Sequence, residues 1–147
     1  FIGSLAPGQL TRVQWRGQTI GIMRRTEEML NNLPSLDGKL RDPQSETASQ
    51  QPAYAQNEYR SIRPDILVLN VHCTHLGCIP RTIPEVGSQP FDEDWKGGFF
   101  CPCHRSKFDF AGRVYTGVPA VLNLLVPPYS FPDDDHVLIG VDPEGVV

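Results

Sequence analysis

Long apolar runs are missing from this chain of 147 residues. Its most apolar stretches centre on Ile66–Leu69 and Leu124–Val126, far short of the roughly 20 residues that span a bilayer. Positive charge is also scarce: 13 Lys and Arg against 17 Asp and Glu leave a net charge of −4 and a pI near 5.5. That balance excludes the basic face a nucleic-acid binder carries, so no nucleic-acid partner is expected. No basic-then-apolar leader pattern opens the sequence, which starts at Phe1. Any targeting or anchoring segment is therefore expected outside it. Internal repeats and low-complexity tracts are absent. Four cysteines are too few for a disulfide scaffold, yet all four fall between Cys73 and Cys103, which points to one local site.

With 39% hydrophobic and 20% charged residues, the chain can bury a core, and its length suits one domain. The abundance of turn formers, Gly 13 and Pro 14, predicts many turns and long loops. Leu10–Val13 and Thr19–Met23 read as strands flanking a turn at Trp15–Gln18. Thr26 with Glu27 and Glu28 reads as a helix start, closed before Pro34. Ser35–Tyr59, broken by Pro43 and Pro52, reads as a long surface loop with at most one helical turn near Ala48. Asp65–Val71 is the strongest strand. Ile79–Lys96 reads as a loop, since Pro80, Pro84, Gly87 and Pro90 oppose any regular element. Gly98–Phe100, Lys107–Phe110, Arg113–Tyr115, Val121–Val126, Tyr129–Phe131 and His136–Val141 read as further short strands. Short strands at close spacing with Gly/Pro turns predict an antiparallel β sandwich or barrel.

Two segments carry the chemistry: Cys73–Cys78 (CTHLGC) and Cys101–His104 (CPCH). Each places thiolate and imidazole donors a few residues apart, directly after a predicted strand. Two such loops facing each other can enclose a metal centre between their tips. One reading is a structural zinc site with two Cys and two His. Zinc motifs, however, pair Cys with Cys and His with His, whereas each segment here mixes them, and zinc leaves two cysteines unexplained. The mixed pairing suits a two-iron centre in which one iron takes two thiolates and the other two imidazoles. Replacing two of four thiolates by neutral imidazoles makes the centre less negative. That raises its potential from about −400 mV for plant-type clusters to roughly −150 to +300 mV. A ferric ion also lowers the proton affinity of its imidazole ligands, so electron and proton uptake favour each other.

The paired motifs resemble those of the Rieske iron–sulfur proteins, in the branch that carries a disulfide. Pro52–Arg60 (PAYAQNEYR), Cys73–Cys78 and Gly97–His104 (GGFFCPCH) are similar to the Rieske subunit family of proteobacterial ubiquinol–cytochrome c reductases. The resemblance runs from about Val13 to Val141.

It implies an all-β fold: a Rieske-type antiparallel β sandwich, with one short helix and a long loop insertion. A small cluster-binding subdomain at about 71–115 would sit on a base fold of about 1–70 and 116–147, the whole forming a single domain. It implies one 2Fe–2S cluster per chain, ligated by Cys73 and Cys101 on one iron and His75 and His104 on the other. Cys78 and Cys103 would form the disulfide. His104 and His75 would be the catalytic pair. Leu76, Gly77, Arg105, Ser106, Phe108 and Pro119 would surround the centre.

Ser106 matches a position whose hydroxyl donates to a bridging sulfide. Phe108 stands where many high-potential members have a Tyr hydroxyl, which implies a lower potential. Arg105 stands where Gly is usual, and would raise the potential, alter the docking surface or be a solvated loop charge. Gly117–Val121 resembles the proline-rich loop that covers the cluster. His72 and His136 read as non-ligands, Asp133–Asp135 as a solvated turn, and Trp15, Trp95, Phe99 and Phe100 as packing.

The function implied is electron transfer with coupled proton uptake. The cluster takes an electron from ubiquinol at a cytochrome b subunit and passes it to a membrane-bound c-type cytochrome. The family carries an N-terminal transmembrane helix that this sequence does not include. Its head lies on the periplasmic side of the bacterial inner membrane. The alternative is the small Rieske subunit of an arsenite-oxidase-like enzyme or another Rieske carrier. The two extra cysteines disfavour the oxygenase branch, and the Ser35–Tyr59 insertion favours the quinol-oxidising complex.

Overall fold

The computed structural model describes residues 1–143. Leu10–Trp15 (β1) and Gln18–Arg24 (β2) form an antiparallel hairpin closed by Arg16 and Gly17. Both turn residues have positive φ, 51° and 74°, as a two-residue turn matched to strand twist requires. β2 pairs in turn with Ile66–Asn70 (β3), giving a three-stranded sheet in the order β1-β2-β3. All five β3 residues are buried, because both faces of this strand are covered. Between β2 and β3, Thr26 caps helix α1 (Glu27–Asn32) by accepting the Met29 amide at 3.1 Å, and Pro34 closes it.

A second antiparallel sheet joins Arg81–Ile83 (β4), Gly98–Phe100 (β5) and Lys107–Phe108 (β6). The third is the hairpin of Tyr129–Asp133 (β7) and His136–Ile139 (β8). Every strand pair is antiparallel and helix is confined to short pieces, so the fold is all-β. One core runs through Ile20, Met23, Ile66, Val68, Phe99, Phe108, Leu124 and Tyr129. A smaller cluster packs Leu36, Leu40, Trp95 and Tyr115. The expected base fold runs to residue 147, and its last four positions, 144–147, lie outside the described residues.

Three expectations are corrected. The segment 79–96 does contain a strand, β4. Pro80 and Pro84 flank it without entering it, and a three-residue edge strand tolerates such neighbours. Trp95, fully buried, donates its indole N–H to the Ile83 carbonyl at 3.0 Å and fixes the end of β4. Conversely, Val121–Val126 is not a strand. The Leu124 and Val126 amides donate to Gly112 and Gln50, while the Leu125 carbonyl accepts from Asn70. Its backbone groups are thus shared among three segments and form no ladder. Arg113–Tyr115 likewise makes only single bridges, Val114 to Phe108 and Tyr115 to Leu40. The Asp109 carboxylate takes the Ala111 and Arg113 amides, each at 2.9 Å, and curls this segment away from a hairpin.

The insertion 35–59 is also less of a surface loop than its polarity suggests. It forms three short 3-10 turns, at Pro34–Lys39, Ala48–Gln50 and Ala53–Ala55, and it is held by buried arginines. Arg113 donates to Asp109 at 2.8 Å, Asp37 at 2.9 Å, the Leu33 carbonyl at 2.9 Å and the Pro43 carbonyl at 3.1 Å. Arg60 donates to the carbonyls of Gln50, Ala111 and Leu124. Arg25 reaches the carbonyls of Tyr59, Pro64 and Phe110. Burial lowers the pKa of both Arg25 and Arg60 to about 10, which leaves them charged at neutral pH and bound to carbonyl dipoles.

Candidate metal centre

The two cysteine loops share one backbone design. In the first, the Cys73 amide donates to the Cys78 carbonyl at 2.7 Å, and the Gly77 amide donates back to the Cys73 carbonyl at 2.8 Å. In the second, the Cys101 amide donates to Ser106 at 2.8 Å and the Arg105 amide to Cys101 at 2.8 Å. Each is a six-residue turn closed at both ends, and each leaves the end of a sheet strand, β3 or β5. The fifth residue of each is left-handed, Gly77 at φ 81° and Arg105 at φ 67°. The equivalence is one of backbone, not of side chains: His75 falls opposite Cys103, and Leu76 opposite His104.

This design sorts the side chains by depth. Cys73 and Cys101, the first residues, are buried and are not joined to any other sulfur. The third and fourth residues ride at the tip, where His75 and His104 are exposed. Their rings meet edge to face, with centroids 4.9 Å apart. Cys78 and Cys103 form a disulfide that ties one loop to the other. The Cys101 sulfur lies within 4.8 Å of both disulfide sulfurs, but those two are spent on each other and offer no thiolate.

The donor set fits a two-iron group. Burial, together with the neighbouring Cys101 thiol, pushes the Cys73 thiol above its ordinary pKa, against hydrogen bonds from the His75 amide and Ser106. A thiol held up in this way, as Cys73 is, ionises readily only with a cation bound to it. Two imidazoles with ring centroids 4.9 Å apart complete the set of four donors, with the thiols on the protein side and the rings on the solvent side.

A third segment closes the site. Ser106, fully buried, accepts the Ala120 amide at 3.0 Å on its hydroxyl, and Thr74 donates its hydroxyl to the Leu122 carbonyl at 2.5 Å. The segment 117–122 is therefore fastened to both cysteine loops. Pro119 is exposed and Ala120 buried. Thr74 has no signal in the sequence beyond lying inside the motif. Leu76 stands 65% exposed beside His75, and Val121 is 53% exposed. Phe108 is fully buried, paired across the sheet with Phe99.

Glycine is required at one position behind the loops. Gly98 has φ 152°, and a Cβ there would run into the Phe108 carbonyl, so β5 and β6 approach closely only because residue 98 lacks one. The remaining histidines are structural. The Thr19 amide donates to His72 Nε2 at 3.0 Å, which makes Nδ1 the protonated nitrogen facing the Gly77 carbonyl at 3.0 Å. His136 pairs with Asp133 at 2.9 Å in the exposed β7–β8 turn. Asp133 accepts the Asp135 amide as well.

A family model described as the Rieske [2Fe-2S] domain matches residues 2–129. The chain is 50% identical over 141 residues to the ubiquinol-cytochrome c reductase iron-sulfur subunit of Allochromatium vinosum, covering 96% of this chain and 68% of the relative. It is 44% identical over 140 residues to the cytochrome b-c1 complex subunit Rieske-3, mitochondrial, of Nicotiana tabacum. It is 42% identical over 140 residues to subunit Rieske-1 of Arabidopsis thaliana. In both cases 95% of this chain is covered but only 44% of the plant protein, so this chain spans less than half of the plant relatives' length. Among solved structures, a chain of "Hyperthermophilic respiratory Complex III" superposes with a TM-score of 0.53 at 21% identity. That match covers 93% of this chain and 69% of the other, a likeness of fold.

Proposed function

Because the chain belongs to the Rieske [2Fe-2S] family, we propose that it is the electron-transferring head of the iron–sulfur subunit of a ubiquinol–cytochrome c reductase. The observation that carries this is the sorting of donors by depth: two buried thiols beneath two exposed imidazoles. When bound, a 2Fe–2S group supplies one-electron redox chemistry at a potential raised by its two histidine ligands.

Cys73 and Cys101 would hold one iron, and His75 and His104 the other. Each imidazole has two ring nitrogens, so a ring that gives one to iron keeps the other at the tip. The outer nitrogen of His104 would accept the hydrogen bond of a quinol hydroxyl and take its proton, with His75 as the second exposed edge. Leu76, next to His75, and Val121, in the segment fastened to both loops, supply exposed apolar surface suited to the rim of a quinol pocket in a cytochrome b subunit. The 117–122 segment, tied by Thr74 and Ser106, excludes water from the protein side. Ser106 would orient its hydroxyl hydrogen toward a cluster sulfur while its oxygen accepts from Ala120, stabilising the more negative reduced state.

The partners proposed are thus a cytochrome b subunit with ubiquinol and a membrane-bound c-type cytochrome. The head would work on the periplasmic side of a bacterial inner membrane, where a disulfide persists. No helix among the described residues is long and apolar enough to cross a membrane.

A redox titration followed by visible circular dichroism, repeated from neutral to alkaline pH, tests the reading. The expected midpoint is positive at neutral pH and falls as the solution becomes alkaline. A low midpoint independent of pH would overturn it.

A further inference from the structure

Arg105 departs from the pattern of its own fold position. Its backbone is left-handed at φ 67°, where the equivalent residue of the other loop is Gly77. A side chain in that conformation is disfavoured where glycine is not. The Arg105 guanidinium lies 5.9 Å over the Phe100 ring and is paired with no carboxylate among the described residues. Phe100 itself stacks on Phe91, with centroids 4.0 Å apart and planes at 13°. Directly across the β4–β5 ladder from Phe100 stands Arg81, exposed and also without a carboxylate partner among the described residues.

The two arginines flank the Phe91/Phe100 stack and line one open groove of about 340 Å³ with Ile83 and Gln89. Neighbouring cations are already neutralised: Lys107 pairs with Asp92 at 3.0 Å and Lys39 with Asp94 at 3.4 Å. On the far side, Arg105 shares a second groove with His104 and Pro119. Two positive charges without a carboxylate partner among the described residues therefore flank one aromatic stack, Arg105 next to the exposed His104, on a chain whose net charge is −4.

We propose that Arg81 and Arg105 form a cationic docking patch that engages carboxylates on the protein electron acceptor. This deepens the proposed function and rests on it. A guanidinium held over a ring keeps its N–H fork free for a carboxylate. A local patch of this sign speeds encounter with an acidic surface even when the whole molecule is acidic. Placed beside His104, it would bring an acidic rim around a haem edge up against the imidazoles.

The test is stopped-flow electron transfer from the reduced holoprotein to two soluble c-type cytochromes, one with an acidic and one with a basic haem face. Ionic strength runs from about 0.01 M to about 1 M, across which the Debye length shrinks from about 30 Å to about 3 Å. With the acidic cytochrome, the second-order rate is expected to fall as salt rises. Arg81→Gln and Arg105→Gly should each lower the low-salt rate roughly threefold and flatten the salt dependence, while Arg81→Lys keeps both. Midpoint potentials measured on every variant separate lost steering from a changed driving force. Variants matching wild type in rate and salt slope would overturn the patch while leaving the proposed function standing. Failure of the holoprotein to reduce either cytochrome would overturn both.

Discussion

Gly77 and Arg105 hold the same place in two loops of one backbone design. Each donates its amide to the carbonyl of the cysteine four residues earlier, at 2.8 Å, and each is left-handed. The loops present their side chains to a common point because their closures match, not because their sequences do. One loop meets the left-handed requirement with glycine and the other carries an arginine.

Gly77 has open space where a Cβ would go, and Gly98 does not. Gly77→Ala is therefore expected to lose only the backbone preference, about 1 kcal/mol. Gly98→Ala has to push β5 and β6 apart and should lose several times more. Urea unfolding of the two variants side by side measures the difference. Equal losses would contradict the close approach of these strands.

The Asp109–Arg113 pair is almost wholly inaccessible, with side chains 0% and 1% exposed. Arg113→Met leaves the Asp109 charge buried beside two amides and releases Leu33, Asp37 and Pro43. The expected loss is about 3–5 kcal/mol, accompanied by proteolytic cleavage within 35–59. A loss below about 1 kcal/mol would mean that the insertion is held by other contacts.

Acid should destabilise the protein through three carboxylates. Partial burial pushes each of them up, but hydrogen bonds and cations outweigh it. For Asp42 these are the Glu46 and Thr47 amides, for Asp65 the Arg63 guanidinium, and for Asp92 the Asp94 amide with Lys107. All three folded-state pKa values lie below the ordinary one. The stability they contribute is thus present above about pH 4 and lost as pH falls through the lower folded values. Unfolding free energy should drop as pH falls below about 4, and Asp42→Asn should shrink that drop while costing stability at neutral pH. An acid profile unchanged by Asp42→Asn would contradict the assignment.

Cys78 and Cys103 close a loop with a sequence separation of 25. A double Cys→Ser change is expected to cost about 3 kcal/mol and to speed iron loss from the holoprotein, because the covalent tie between the two loops is then gone. Iron release timed with a chelator reads this directly. An unchanged release rate would contradict a role for the bridge in holding the site.

Much of this was legible in the sequence, where local chemistry dominates. The β1–β2 hairpin, the Thr26 cap and β3 follow from a turn at Trp15–Gln18 between two short apolar stretches, a hydroxyl before two acids, and an aliphatic run. The two cysteine loops announce themselves by donor type and spacing. What was not legible depends on contacts made far along the chain. Val121–Val126 has strand composition, but its hydrogen bonds go to Gly112, Asn70 and Gln50. The polar 35–59 insertion is drawn in by Arg60 and Arg113, whose burial no composition reveals. Thr74 reads as motif filler until the Leu122 carbonyl appears beside it. The equivalence of Gly77 and Arg105 is likewise a property of φ, invisible in their names.

The central claim is that two buried thiolates and two exposed imidazoles hold one two-iron cluster. Pulsed electron paramagnetic resonance on the reduced holoprotein tests it most directly. The account predicts hyperfine coupling from two imidazole nitrogens, with cluster assembly lost or one coupling removed in His75→Cys and again in His104→Cys, and both couplings unaltered in His72→Gln and His136→Gln. A reduced cluster showing no nitrogen coupling, or couplings that survive both ligand substitutions, would contradict it.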